Sequence, residues 1–267
     1  SGWLDKTWFA IRGLIFIAGW SLYRYFSRKF SLAQDLADVN DNSNFKKNFR
    51  ISAAFLVFYI YTESIMSWDW IMSVDPHWFS TLFGWYVFAS MFVSGITTIA
   101  LITIYLKSKG YLEKVNDNHI HDLGKWAFAT SFLWSYLWFS QFMLIWYANI
   151  GEEVTYFQMR IDNYKLLYFG MFIINFAFPM LILMSRDAKR HAGILTFIGL
   201  IIIGGHWVDV YIMVTAGSLG PTAHIGLLEI GMALTALSIF ILVILKNLEV
   251  IWLLSIAKSL SHFLQRK

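Results

Sequence analysis

The sequence predicts an all-α fold, a polytopic helical bundle embedded in a membrane. Three observations predict it. Apolar residues make up 58% of the chain and charged residues 14%, with a mean hydropathy of +0.55; soluble domains are about 25% charged. The apolar residues gather in runs close to the ~20 needed to cross a bilayer, at 7–25, 51–72, 81–106, 126–150, 164–184, 192–214 and 224–245. Thirteen Trp, thirteen Tyr and twenty-four Phe are far more aromatic surface than a soluble core of this size needs.

Run one contains Arg12 near one end, where its long stem could reach the interface. A polar connector, 27–49, follows, with a short helix expected at 31–39. Run two ends at Asp75-Pro76, a turn signal, because Pro disfavours the α region in the residue before it. That corner carries Trp68, Trp70, His77 and Trp78 and no Lys or Arg, as a transmembrane hairpin does at an interface. Run four carries Ser131, Ser135, Tyr136, Ser140 and Gln141, polar positions that hold helices together. Segment 151–163 reads as an acidic loop, and Gly204-Gly205 as a break point in run six. Beyond 246, Val250, Leu253, Leu254, Ala257, Leu260, Phe263 and Leu264 recur at helical spacing. The chain therefore divides into a bundle, 1–246, and an amphipathic surface tail, 247–267.

Lys and Arg near the span ends set orientation. Arg24, Arg28, Lys29, Lys46, Lys47 and Arg50 lie between runs one and two. Lys107, Lys109, Lys114 and Lys125 lie between three and four, Arg186, Lys189 and Arg190 between five and six, and Lys246, Lys258, Arg266 and Lys267 after seven. The opposite side holds Lys6, Arg12, Arg160 and Lys165. The N-terminus is expected in the periplasm and the C-terminus in the cytoplasm.

An ionisable group inside a span is costly and is a functional candidate by default. Glu63, Asp69, His206, Asp209 and Glu229 qualify. His206 and Asp209 are three apart and share a helix face; a carboxylate there can fix the imidazole tautomer for proton exchange. Glu63 shares a face with Tyr59 and Ser67. Glu229 follows on the next helix and could meet His206 and Asp209 across a hairpin. The expected proton path is thus an outer pocket of His206, Asp209 and Glu229, and an inner step at Glu63, with Asp69 and Tyr59 as further members. A structural role as polar glue competes with it. His77, Trp78, Glu152 and Glu153 are interfacial candidates for partner contact, with belt anchoring the alternative for Trp78.

Three blocks carry a resemblance: SWDWIMSVDPHWFST at 67–81, FSQFMLIWYANIGEE at 139–153 and HWVDVYIMV at 206–214. They resemble the F-subunit family of bacterial alternative complex III, among membrane subunits of the polysulfide-reductase type, over roughly 8–245. The resemblance implies a quinol-oxidising, cytochrome-reducing complex in the bacterial inner (cytoplasmic) membrane, using quinol or menaquinol. It implies as partners a homologous membrane subunit that oxidises quinol, a multihaem cytochrome, an iron–sulfur subunit and a terminal oxidase, with lipids around them. Haems and iron–sulfur clusters would then lie in partner subunits. Family members are longer at the N-terminus, so this chain, which lacks an initial Met, is expected to be incomplete or processed there.

The residues fit that picture. With no Cys there is no disulfide, cysteine-ligated cluster or thiolate metal site. Only His206 and His224 lie in or at runs, at different depths, so a facing pair for haem b is not expected. His119 and His121 lack an evident third metal ligand. Run seven lacks an internal Lys for a retinal Schiff base. The net charge of +4 comes from loop residues beside spans, so no nucleic-acid partner is expected. No signal peptide is evident. The expected function is a non-redox membrane subunit without its own cofactor, structural and proton-conducting. A stand-alone proton-coupled secondary transporter is the alternative, and a purely structural anchor a third reading.

Overall fold

The computed structural model describes residues 2–38, 40–222 and 224–265, with side-chain surroundings as far as residue 248. The ordered elements among the described residues are all helical, with no strand among them. The long helices are α1 (Lys6–Asp35), α2 (Ser43–Trp70), α3 (Leu82–Ser108), α4 (Asp117–Ala148), α5 (Gly151–Phe172), α8 (Ala192–Leu219) and α9 (Leu227–Gln265). A π-helical turn, Ile173–Ala177, joins α5 to the short α6 (Phe178–Leu183), and α7 (Arg186–Arg190) leads into α8. Five stretches are long and apolar enough to cross a membrane: Ser43–Val74, Leu82–Ser108, Gly151–Leu183, Ala192–Thr222 and Leu227–Leu248.

The chain forms two compact units, 1–221 and 222–267. The second is essentially α9, whose backbone runs unbroken past 246, so no helix break separates a bundle from a tail there. The side chains of the expected 250–264 apolar stripe lie outside the described residues.

Several elements depart from expectation for identifiable reasons. The separate helix expected at 31–39 is the end of α1 as far as Asp35; Val39 lies outside the described residues. The acidic segment 151–163 is helix, not loop. Its first turn carries Glu152 and Glu153, where carboxylates complement the helix dipole. The chain bends within α5 at Tyr164 (φ −125°, ψ 23°), whose hydroxyl donates to the Gly220 carbonyl. The π turn has a local cause in Pro179. A proline ring clashes with the carbonyl four residues back, here Asn175, and the wider turn relieves it. Gly204-Gly205 does not break α8, which is continuous.

In the first unit α8 is central, packing against α3 and α5. Its buried residues Leu195, Ile198, Gly199, Ile202, Gly205, His206, Asp209, Ile212, Met213 and Ala216 recur every three or four positions as one stripe, widened by Tyr211. Small residues let neighbours approach where lipid supplies no hydrophobic drive. A Cβ at Gly199 would lie 2.9 Å from Leu101, and one at Gly205 would lie 1.9 Å from Asn175 Oδ1. α3 also packs on α4 and α2, and α1 packs on α2. The α1–α2 seam is aromatic, with Tyr23 stacked on Phe55 at 3.9 Å and the Trp20 indole N–H donating to Thr62 at 3.0 Å.

Candidate functional site

The sequence-predicted pair lies at the heart of the first unit. Asp209 is 0% exposed and His206 3%. α3 supplies Tyr86 and Ser90, one turn apart, and α4 supplies Trp134; all three converge on the pair. One carboxylate oxygen of Asp209 accepts the Tyr86 hydroxyl. The other accepts the Trp134 indole N–H at 3.0 Å and the Ser90 hydroxyl at 3.1 Å. Ser90 Oγ is also 2.9 Å from His206 Nδ1, which is itself 3.7 Å from Asp209 Oδ2. The Trp134 ring meets the imidazole edge-on, with centroids 5.2 Å apart.

Counting protons assigns the tautomer. Ser90 has one hydroxyl proton, and giving it to the carboxylate leaves its oxygen to accept from Nδ1–H. A neutral His206 then carries its lone pair on Nε2, a buried atom with no hydrogen-bond partner. Asn175, 0% exposed, projects from the π turn against Gly205, the residue before His206, with both amide atoms unpartnered. A proton arriving at Nε2 can release Nδ1–H to Ser90 and through it reach Asp209. The arrangement is a three-member relay held by Tyr86 and Trp134.

The other expected residues are placed as follows. Glu63 is 2% exposed, with Oε1 unpartnered, and no hydrogen bond among the described residues joins it to the pair. The Ser67 hydroxyl donates back to the Ser64 carbonyl, and Tyr59 packs among Trp20, Phe55 and Phe88, so the expected polar stripe is not a connected chain. Glu229 belongs to the second unit and caps its own helix, accepting from the Gly226 amide at 2.9 Å. Asp69 is the ion-pair partner of Arg12. It accepts from Arg12 Nε at 2.6 Å and from the Trp3 indole at 2.7 Å, which ties α1 to α2. Arg12 ion-pairs with Asp69, and its side chain is 15% exposed.

His77 and Glu152 are exposed, and Glu153 is half-buried. Trp78, expected as a belt anchor or partner contact, is instead 4% exposed. It stacks on Tyr156 at 3.7 Å and donates to the Glu153 carbonyl at 3.2 Å. Outside the spans, His119 closes the capping box of α4 with Asn116. Loss of solvent and the nearby cations Lys125, Arg190 and Lys189 push His121 below its ordinary value.

Sequence reasoning missed Tyr86, Ser90, Trp134, Asn175 and Arg160. Tyr86 and Ser90 are four apart on one face of run three, a visible signal. Asn175 within an apolar run, four residues before Pro179, is another. Arg160 was assigned to a loop, yet it is 1% exposed inside α5, stacked on Tyr156 at 3.3 Å.

Comparison with known proteins finds neither a matching family model nor a similar curated protein.

Proposed function

We propose that this chain is a non-redox integral subunit of a quinol-oxidising, cytochrome-reducing respiratory complex, and that it passes protons through His206, Ser90 and Asp209. The single observation that carries the proton role is the relay itself: an imidazole, a hydroxyl and a carboxylate in continuous contact, buried between two helices, α3 and α8, each in a stretch long and apolar enough to span. Ionisable groups at such depth are costly and are seldom kept without use. Membership of the complex rests on the three resembling sequence blocks. Quinol or menaquinol oxidation, haems and iron–sulfur clusters belong on this reading to partner subunits.

The reading includes seven spans, with the N-terminus periplasmic. α1 and α4, of 30 and 32 residues, are ~45 Å or longer at 1.5 Å per residue, and pairing with Asp69 lowers the cost of Arg12 inside α1. Cysteine replacing Asp75 is then expected to react with an impermeant maleimide in intact spheroplasts, and cysteine replacing Lys47 is not; the reverse pattern contradicts the orientation. The proton role is tested in the assembled complex in liposomes. Asp209→Asn and Glu63→Gln are expected to keep quinol oxidation while coupled proton uptake falls, the first more than the second, because Glu63 stands apart from the relay. Unchanged proton stoichiometry in both makes these residues structural.

A stand-alone proton-coupled transporter is the second reading. The bend at Tyr164 and the π turn favour it, since such proteins use interrupted helices.

A further inference from the structure

Arg160 presents a problem that the relay does not use. Its side chain is buried in α5, at 1% exposure. Nη1 donates to the Tyr156 carbonyl at 2.9 Å, Nη2 faces the Ile212 and Met213 carbonyls of α8 at 3.5 and 3.4 Å, and Nε has no partner. Among the described residues no carboxylate lies within ion-pair distance of it. The Tyr156 ring 3.3 Å from the guanidinium carbon, itself stacked on Trp78, attracts the cation through its quadrupole but does not cancel the charge. A buried charge without compensation is not tolerated at low dielectric.

The buried carboxylates of this unit are Glu63, Asp69 and Asp209. Asp69 is already paired with Arg12. Glu63 is on α2, which packs on α1 and α3, whereas α5 packs on α4 and α8. Asp209 is on α8 itself, three and four residues before the carbonyls that Arg160 faces, or about 5 Å along the helix axis. Tyr168 lies within electrostatic reach of both Arg160 and Asp209. Of the half-buried carboxylates, Asp75 competes most directly, because it packs beside Gly217 on α8 and acts on Tyr156.

We propose that Arg160 is the counter-charge of Asp209, a non-contacting ion pair bridged by the α8 backbone and the tyrosine rings around it. The pair does not depend on the proton role above. The three hydrogen bonds to Asp209 position the carboxylate, and Arg160 neutralises it without taking up any of its lone pairs, which stay with Tyr86, Ser90 and Trp134.

A double-mutant cycle on the purified full-length chain tests the pair without reference to any activity. Arg160→Gln and Asp209→Asn are each expected to lower the unfolding midpoint in detergent by about 6 °C or more, as breaking a buried pair does. The double variant is expected to lose clearly less than the sum of the two, and Arg160→Lys to lose less than Arg160→Gln. The cycle of Arg160→Gln with Asp75→Asn is expected to be additive. Additive losses for Arg160 with Asp209, or coupling found with Asp75 instead, overturn the proposal. Should a single variant fail to fold, recovery of folded protein in the double variant supports the pair, and its continued absence overturns it. Coupled proton uptake could fail its own test while this cycle succeeds, so the two claims are separable.

Discussion

Asp209→Ala is expected to destabilise the first unit by roughly 3–5 kcal/mol. The carboxylate receives hydrogen bonds from Tyr86, Ser90 and Trp134 at a position with no solvent exposure. Truncation leaves three buried donors without an acceptor, each costing about 1–3 kcal/mol before partial rearrangement, and leaves Arg160 uncompensated. Asp209→Asn keeps the size and one acceptor oxygen and is expected to lose less. Chemical or thermal unfolding in detergent measures both. An Asp209→Ala protein as stable as wild type contradicts the convergence of α3, α4 and α8 on this side chain.

The second large effect is a contrast between neighbours. Gly204 and Gly205 are both inside α8, so Ala at either gains the same ~1 kcal/mol of helix propensity. A Cβ at Gly204 meets nothing within 4 Å, whereas one at Gly205 meets Asn175 Oδ1 at 1.9 Å and Ile174 Cγ2 at 2.8 Å. Asn175 is itself fully buried, so its side chain has little room to yield. Gly204→Ala is expected to be neutral or mildly stabilising, and Gly205→Ala to be about 2–4 kcal/mol less stable than Gly204→Ala, in the range of overpacked cores. Equal stabilities contradict the close approach of the π turn to α8.

The pair of experiments bears on what the sequence makes legible. The helical membrane class follows from composition and run length, which act locally. The facing of His206 and Asp209 follows from their spacing of three residues. Their partners do not, because Tyr86, Ser90 and Trp134 reach the pair across 75 to 123 positions, through packing that one-dimensional pattern does not encode. Arg160 misleads for a related reason. A charge near a span end raises loop propensity in any hydropathy reading, yet here Tyr156 and the α8 carbonyls accept it. For Asp69 the sequence shows an acidic residue within an apolar run but not its partner, Arg12 of α1, which lies 57 positions away and pairs with it. The Gly204-Gly205 dipeptide was legible as unusual, though its use is close packing and not a break.

The central claim is that this chain works within a respiratory complex. The most direct measurement is purification of the chain through a tag, from its own membrane in mild detergent, with a reduced-minus-oxidised spectrum and identification of the accompanying proteins. The account predicts c-type haem absorption together with a multihaem cytochrome, an iron–sulfur protein and a second membrane subunit of similar size and span number. A haem-free preparation of this chain alone, able to move a solute with protons in liposomes, would contradict it.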